Sequence, residues 1–516
     1  MLIQNVLEEM LIMKRLISIL LCIIMTFSCF SFAVSAVKEE YDHLPQVYVG
    51  GLGCGSIYYE DDPEKTNMFY PIDFKRVLGN LVNVGDYLKE SLKKENPDIL
   101  YDVVYSWLWD SFGMLSLGKD GETMAEGMAI DEMTLIYEGD GLYSFEYDSR
   151  LDPIAVAKQL REYIGWVKED SGSEKIELVG SSYGTTVVMA YLNEYRDSWD
   201  EIDSVILCVP SVGGINFFGE IFSGKLRIDP LALISFIEGK LGSEELTLIL
   251  QILNKAELLP VILDCLAVPL LRATVYDALM QFIKDVLATL PAAWTCVQDE
   301  DYEASLKNIF GENYAEPDHE YAELIKKITN YHETVMVKAY DILEEAKNGG
   351  IKMNIICKYG NAPVPVSEDG NFAGDGIVEL PIASFGATCI GHNEKLPKDY
   401  VQAKYKEYDF ISVDGTLDAS TGALPFNTWY IKGLQHGGKN EDYYSLINAI
   451  AYEDLDVFKN SKYPQFMEVS AEDSERLVPM LPMETEKETS LIEDVIRLVK
   501  RLIELIIDTV KKISKK

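Results

Sequence analysis

The chain has 516 residues, 48 % of them hydrophobic, and a formal net charge of -38. That apolar fraction excludes global disorder, and the length allows one large domain with insertions or about three small ones. The charge argues against nucleic acid as a partner, because phosphates repel it. It also slows approach to anionic membranes everywhere except at the C-terminus.

The first stretch reads as a targeting segment. Met13-Lys14-Arg15 is a basic start, Leu16 to Phe32 is mostly apolar and uncharged, and Val34-Ser35-Ala36 is a small-residue cleavage site. The expectation is a signal peptide over 1–36, cleaved after Ala36, and a secreted or extracytoplasmic protein. The alternative is an uncleaved membrane anchor. A lipoprotein signal is disfavoured because no good lipobox precedes Cys22 or Cys29. Six cysteines remain after cleavage, none in a C-x-x-C pair. Export permits disulfides, but Cys208 and Cys357 sit in apolar strand-like runs that suit free buried thiols.

Gln46 to Val49 reads as a short strand, followed by the glycine-rich loop Gly50-Gly51-Leu52-Gly53-Cys54-Gly55-Ser56. The loop lacks a proper G-x-G-x-x-G and a following P-loop lysine, so phosphate binding is disfavoured. It reads instead as a presenter of backbone N–H groups to an oxyanion, from Leu52 or Gly53, or else as a flexible turn. Residues 73–113 read as helical, with Trp107 and Trp109 on apolar faces. Ser144 to Tyr147 reads as a strand, Asp148 and Arg150 as loop-stabilising residues, and Ile154 to Glu169 as a helix.

Lys175 to Gly180 is the next strand. It runs into Gly180-Ser181-Ser182-Tyr183-Gly184, a G-x-S-x-G sequence, and then the buried-helix pattern Thr185 to Leu192. Strand, tight turn and helix are the setting of a nucleophile elbow. The flanking glycines suit a turn too tight for bulky side chains, and the N–H of Tyr183 is placed to be a second oxyanion donor. Ser204 to Val209 is nearly continuously apolar, as a central parallel strand should be. The alternation of strand and helix predicts an α/β fold with a mostly parallel, doubly wound sheet.

From Pro210 to Gly350 only helical patterns occur, which predicts a helical cap inserted into the core. The aromatic run Ile215 to Phe222 suits either a lipid-facing lid or packing between cap and sheet. Strands resume at Met353 to Cys357, and Thr428 to Ile431 reads as the last strand, before a helix over Tyr443 to Tyr452. Asp375 and His436 follow these late strands, so the order Ser182, Asp375, His436 is that of an α/β-hydrolase triad. Serine is a poor nucleophile until an imidazole takes its proton, and a carboxylate fixes the imidazole tautomer. His392 is the rival base, and Asp369 and Glu379 are the rival acids. No metal site is spelled out, and no cofactor is expected.

The expected organisation is a core over 37–210 and 351–482, a cap over 211–350, and a linker with an amphipathic helix over 483–516. Leu491, Val495, Leu498, Leu502, Leu505 and Ile506 fall at helical spacing in the tail. Charges interrupt it too often for a bilayer span. Ending in Lys511, Lys512, Lys515 and Lys516, it suits either contact with a membrane or envelope or docking on the protein itself.

Several stretches together resemble the lecithin:cholesterol acyltransferase family, which includes lysosomal phospholipase A2. Val49 to Ser56 is similar to the family's oxyanion segment, with one extra residue at Cys54. Phe145 to Arg150 resembles its F-x-Y-D-W-R, Leu178 to Gly184 its elbow, Gly374 to Val378 its G-D-G-T-V, and Leu434 to His436 its histidine segment. Pro210 to Gly214 and Leu290 to Trp294 are similar to segments bordering its lid and cap. Gly50, Ser149 and Ser181 depart from the pattern. The resemblance implies an α/β-hydrolase and a secreted serine esterase acting on a lipid acyl ester, as phospholipase or acyltransferase. The alternatives are a hydrolase of a non-lipid ester or peptide, and a silent scaffold that binds at the cell envelope.

Overall fold

The computed structural model describes residues 43–68, 98–131, 133–241, 244–367, 370–453, 455–482 and 490–501. The leader expected over 1–36, the helix expected over 73–97 and the linker at 483–488 lie outside them.

Nine strands form one sheet: β1 (Gln46–Val49), β2 (Ile136–Gly139), β3 (Leu142–Phe145), β4 (Ile176–Ser181), β5 (Ile202–Cys208), β6 (Lys352–Tyr359), β7 (Thr428–Lys432), β8 (Phe466–Val469) and β9 (Leu477–Pro479). Their order across the sheet is β9-β8-β7-β6-β5-β4-β1-β3-β2. All pairings are parallel except β2 with β3 and β8 with β9, the two edges. The fold is therefore α/β.

Side chains along the central strands alternate between two cores, as the pleat requires. Leu178, Val205, Leu207, Ile355, Cys357 and Tyr430 belong to the core shared with helices α1 (Pro153–Ser171) and α2 (Tyr183–Glu194). Val179, Ile206, Ile356, Trp429 and Ile431 belong to the core under a helix at Glu441–Tyr452. Burial on both faces explains the continuous apolar runs of β4, β5 and β6. Pro153 opens α1 behind Asp152, whose side chain accepts from the Ile154 N–H, and Gly172 closes it at φ 73°.

Two expectations need correction. β3 ends at Phe145 rather than Tyr147, because Glu146 and Tyr147 leave the sheet to make contacts described below. Thr428–Lys432 is not the last strand; β8 extends the sheet in parallel and β9 caps it. Of the two readings of the aromatic run at 215–222, the structure shows packing: the helix Asn216–Phe222 buries Phe217, Phe218 and Phe222, and Phe222 meets Trp294 edge-on at 5.3 Å.

Among the described residues, only helices lie between β5 and β6. Their inner side chains, Trp294, Leu324 and Leu343 among them, join the same core as the sheet. Ile99–Phe112 is the described part of the early helix, with Trp107 buried and Trp109 exposed. The six cysteines in the described residues are free thiols.

The tightest junction joins α2 to β1. A Cβ on Gly184 would lie 2.1 Å from the Val49 carbonyl oxygen and 2.5 Å from that of Gly50. Both obstacles are backbone, so neither can swing aside. Gly184→Ala is expected to lower unfolding free energy by about 3 kcal/mol or to prevent folding, read from urea denaturation against the parent chain.

Candidate active site

Parallel pairing brings the carboxyl ends of β1, β4, β6 and β7 to one edge of the sheet. Val49 is level with Gly180, and Lys432 is level with Tyr359. The loops that follow these strands carry the four expected groups.

Ser182 occupies the turn between β4 and α2, at φ 54° and ψ -126°. A non-glycine residue rarely adopts this conformation. Gly180 and Gly184 permit it. A Cβ on Gly180 would meet Val188 at 2.9 Å and the Gly184 carbonyl oxygen at 3.1 Å. The turn is held by the Ser182 N–H, which donates to the Cys208 carbonyl at 2.9 Å.

The Ser182 Oγ lies 2.7 Å from His436 Nε2. His436 Nδ1 lies 2.7 Å from Asp375 Oδ2. A carboxylate can only accept, so Nδ1 carries the proton and Nε2 presents its lone pair to the serine hydroxyl. The other carboxylate oxygen, Oδ1, accepts from the N–H groups of Ile377 at 3.0 Å and Val378 at 2.9 Å. Asp375 is thereby fixed with one oxygen left for the imidazole. Both residues are buried, while Ser182 is half-buried.

Among the described residues, the relay includes neither His392 nor Glu379. His392 is buried and held well below the usual imidazole range, near pKa 4, by burial and then by the Lys432 charge. Asp369 lies outside the described residues. Glu379 accepts from the Asn216 N–H at 2.9 Å. Burial pushes its carboxyl up to about 8, and its other oxygen has no partner among the described residues.

The oxyanion loop differs in one respect from expectation. The Gly53 N–H donates to the buried Ser149 Oγ at 2.9 Å, so it is not an available donor. Leu52 remains: its N–H has no acceptor among the described residues. The loop lies against Ser182, since a Cβ on Gly51 would be 3.0 Å from Ser182 Cβ and 3.4 Å from its Oγ. Tyr183, as the first residue of α2, has no acceptor for its N–H within the helix.

Several residues that hold this geometry escaped the sequence reading. Tyr147 donates its hydroxyl to the Gly50 carbonyl at 2.5 Å. Glu146 accepts from the Gly55 N–H at 2.8 Å. Lys358, buried at the end of β6, donates to the carbonyls of His436 at 3.0 Å and Gly438 at 2.6 Å, and sits 4.4 Å over the Tyr443 ring. Asn361 ties the two late loops together, its side chain donating to Leu434 and its backbone N–H to Gly374. Asp148 and Arg150 form a fully buried pair, and Arg150 also donates to the Leu115 carbonyl. Their loop role was expected.

No family model matches the chain, and no curated protein matches it. The resemblance to the lecithin:cholesterol acyltransferase family therefore rests on the short segments named above. Nine chains of solved structures match. One belongs to the crystal structure of the Tle4-Tli4 complex, at 12 % identity and a TM-score of 0.26, covering 62 % of this chain and 75 % of that one. That likeness is too slight to bear on function.

Two measurements probe the site. Ser182→Gly and Ser182→Ala both lose the hydroxyl, but only glycine relieves the backbone. The glycine variant is expected to be more stable than the alanine variant by about 1 kcal/mol, read by thermal unfolding. Glu379 gives a pH signature. Its unfolded carboxyl titrates at the ordinary 4.5 and its folded one at about 8. Between those values the folded state holds a proton that the unfolded state has lost. This contribution is thus complete below pH 4.5 and declines as pH rises toward 8, by about 1.4 kcal/mol per unit. Glu379→Gln is expected to flatten that slope in urea midpoints taken from pH 5 to 8.

Proposed function

We propose that the protein is a secreted serine esterase that acts on lipid acyl esters, as a phospholipase or O-acyltransferase. One observation carries the catalytic part. Three side chains from distant parts of the chain make an unbroken relay, Ser182 to His436 at 2.7 Å and His436 to Asp375 at 2.7 Å, with the serine on a strained turn at a helix N-terminus.

In this mechanism Ser182 Oγ attacks the acyl carbonyl carbon while His436 Nε2 takes its proton. The N–H groups of Leu52 and Tyr183 receive the oxyanion, and the helix dipole of α2 favours the negative charge. The ester C–O bond breaks as His436 returns the proton to the leaving alcohol. Water or a second alcohol then attacks the acyl-enzyme as its proton passes to His436, the bond from the acyl carbon to Ser182 Oγ breaks, and His436 returns the proton to Ser182. Asp375 stays anionic throughout and stabilises the imidazolium. The lipid substrate is supported by the motif resemblance, and secretion by the leader sequence.

A fluorophosphonate probe reads the activated serine directly. With the leader removed, the folded chain is expected to be labelled at Ser182, as mapped by mass spectrometry. Labelling should vanish in His436→Ala and slow by about 10⁴ in Asp375→Asn. A folded chain that stays unlabelled with detergent present would overturn the proposal.

A further inference from the structure

The C-terminal helix is packed the wrong way round for a soluble protein. It starts at a reciprocal cap. Ser490 Oγ accepts from the Glu493 N–H at 3.3 Å, and Glu493 accepts from the Ser490 N–H at 2.7 Å. Residues 491–501 are then helical. The side turned to the protein carries a buried carboxylate, Asp494, with half-buried Leu498 one turn on. Asp494 is 0 % exposed and pairs with Lys255 at 2.6 Å, on the cap helix α3 (Glu244–Lys255). Arg497 reaches Asp494 at 3.5 Å and Gln251 of α3 at 3.3 Å. The opposite side is apolar. Leu491, Ile492, Val495, Ile496 and Val499 follow the spacing i, i+1, i+4, i+5, i+8, which makes one stripe. They are 38 % to 71 % exposed.

An amphipathic helix normally buries its apolar stripe. Here a buried carboxylate clamps one side, and the stripe is exposed among the described residues. The same cap lobe exposes Leu258, Val261 and Ile262 on the helix after α3, bent from it by 101°. Among the described residues, no single helix is long and apolar enough to cross a membrane.

Charge indicates what the stripe meets. The whole chain carries -38, yet residues 491–516 hold seven Lys and Arg against four Asp and Glu. A basic segment bearing an apolar stripe is complementary to an anionic lipid surface. We propose that the C-terminal helix, clamped to the cap through Asp494 and Lys255, is a docking face for anionic membranes. The docking face stands whether or not Ser182 is a nucleophile. Delivery of the site to its substrate rests on the esterase reading.

The test uses the chain without residues 1–36, whose own apolar run would bind vesicles, and with Ser182→Ala, so that binding is read without turnover. Co-sedimentation compares phosphatidylcholine vesicles with vesicles holding about 30 % phosphatidylglycerol. Binding is expected to the anionic vesicles and to weaken with added salt. Ile492→Glu with Ile496→Glu is expected to weaken it about tenfold, with an unchanged melting temperature because both side chains are exposed. Absence of binding by a folded sample, or binding indifferent to the double substitution, overturns the proposal. So does a dimer that the double substitution converts to monomers without any change in vesicle affinity, since the stripe would then belong to a second copy. Fluorophosphonate labelling of the Ser182 form is scored separately, so loss of docking and loss of the esterase reading are told apart.

Discussion

The site depends on how closely the first turn of α2 approaches the end of β1. Only a residue without a side chain fits at Gly184, with the Val49 and Gly50 carbonyls directly above it. That closeness has two consequences. It forces the chain through a sharp reversal at Ser182, which accounts for the positive φ. It also lays the Gly50–Gly53 loop beside the serine, so an oxyanion formed at Ser182 would face the backbone of both β1 and α2. A longer side chain at Gly184 would separate the two halves of this arrangement even if every catalytic side chain were retained.

The triad side chains all leave from loops or turns, which are intrinsically the mobile parts of a fold. The protein counters this with buried polar groups that bond to loop backbone. Tyr147 and Ser149 hold the oxyanion loop from below. Asp375 binds two N–H groups of its own loop before it meets His436. Lys358 binds the carbonyls on either side of Gly437. Burying an ammonium is costly unless its hydrogen bonds are met. Two carbonyls and the Tyr443 ring meet them, so the charge is spent on fixing the position of the base rather than on a surface ion pair.

The central sheet and the elbow were legible because their signals are local. Continuous apolar runs mark strands buried on both faces, and the G-x-S-x-G turn sits between one such run and a helix. The edge strands were not legible: β2, β8 and β9 have only three or four residues each, too few for a period to show. The supports were hidden for a different reason. Ser149 and Gly53 are 96 residues apart in sequence and Lys358 and His436 are 78 apart, so no spacing rule connects them. Ser149 looked like a mere departure from a tryptophan, although its hydroxyl removes one of the two oxyanion donors named for the loop. Lys358 directly follows the apolar run Met353 to Cys357, and nothing local in the sequence marks a lysine there as buried.

The helix Asn216–Phe222 bears on the relay through Glu379. That helix is buried, and its first N–H is bound by Glu379, four residues from the triad acid. Swinging it outward would break this bond and open Glu379 to water, where its carboxyl would ionise near neutral pH. The new negative charge would stand close to Asp375, which already raises the Glu379 pKa. Movement of this helix would therefore break a hydrogen bond and change the charge beside the relay. Exposed apolar side chains do occur on α3, on the bent helix after it and on the C-terminal helix.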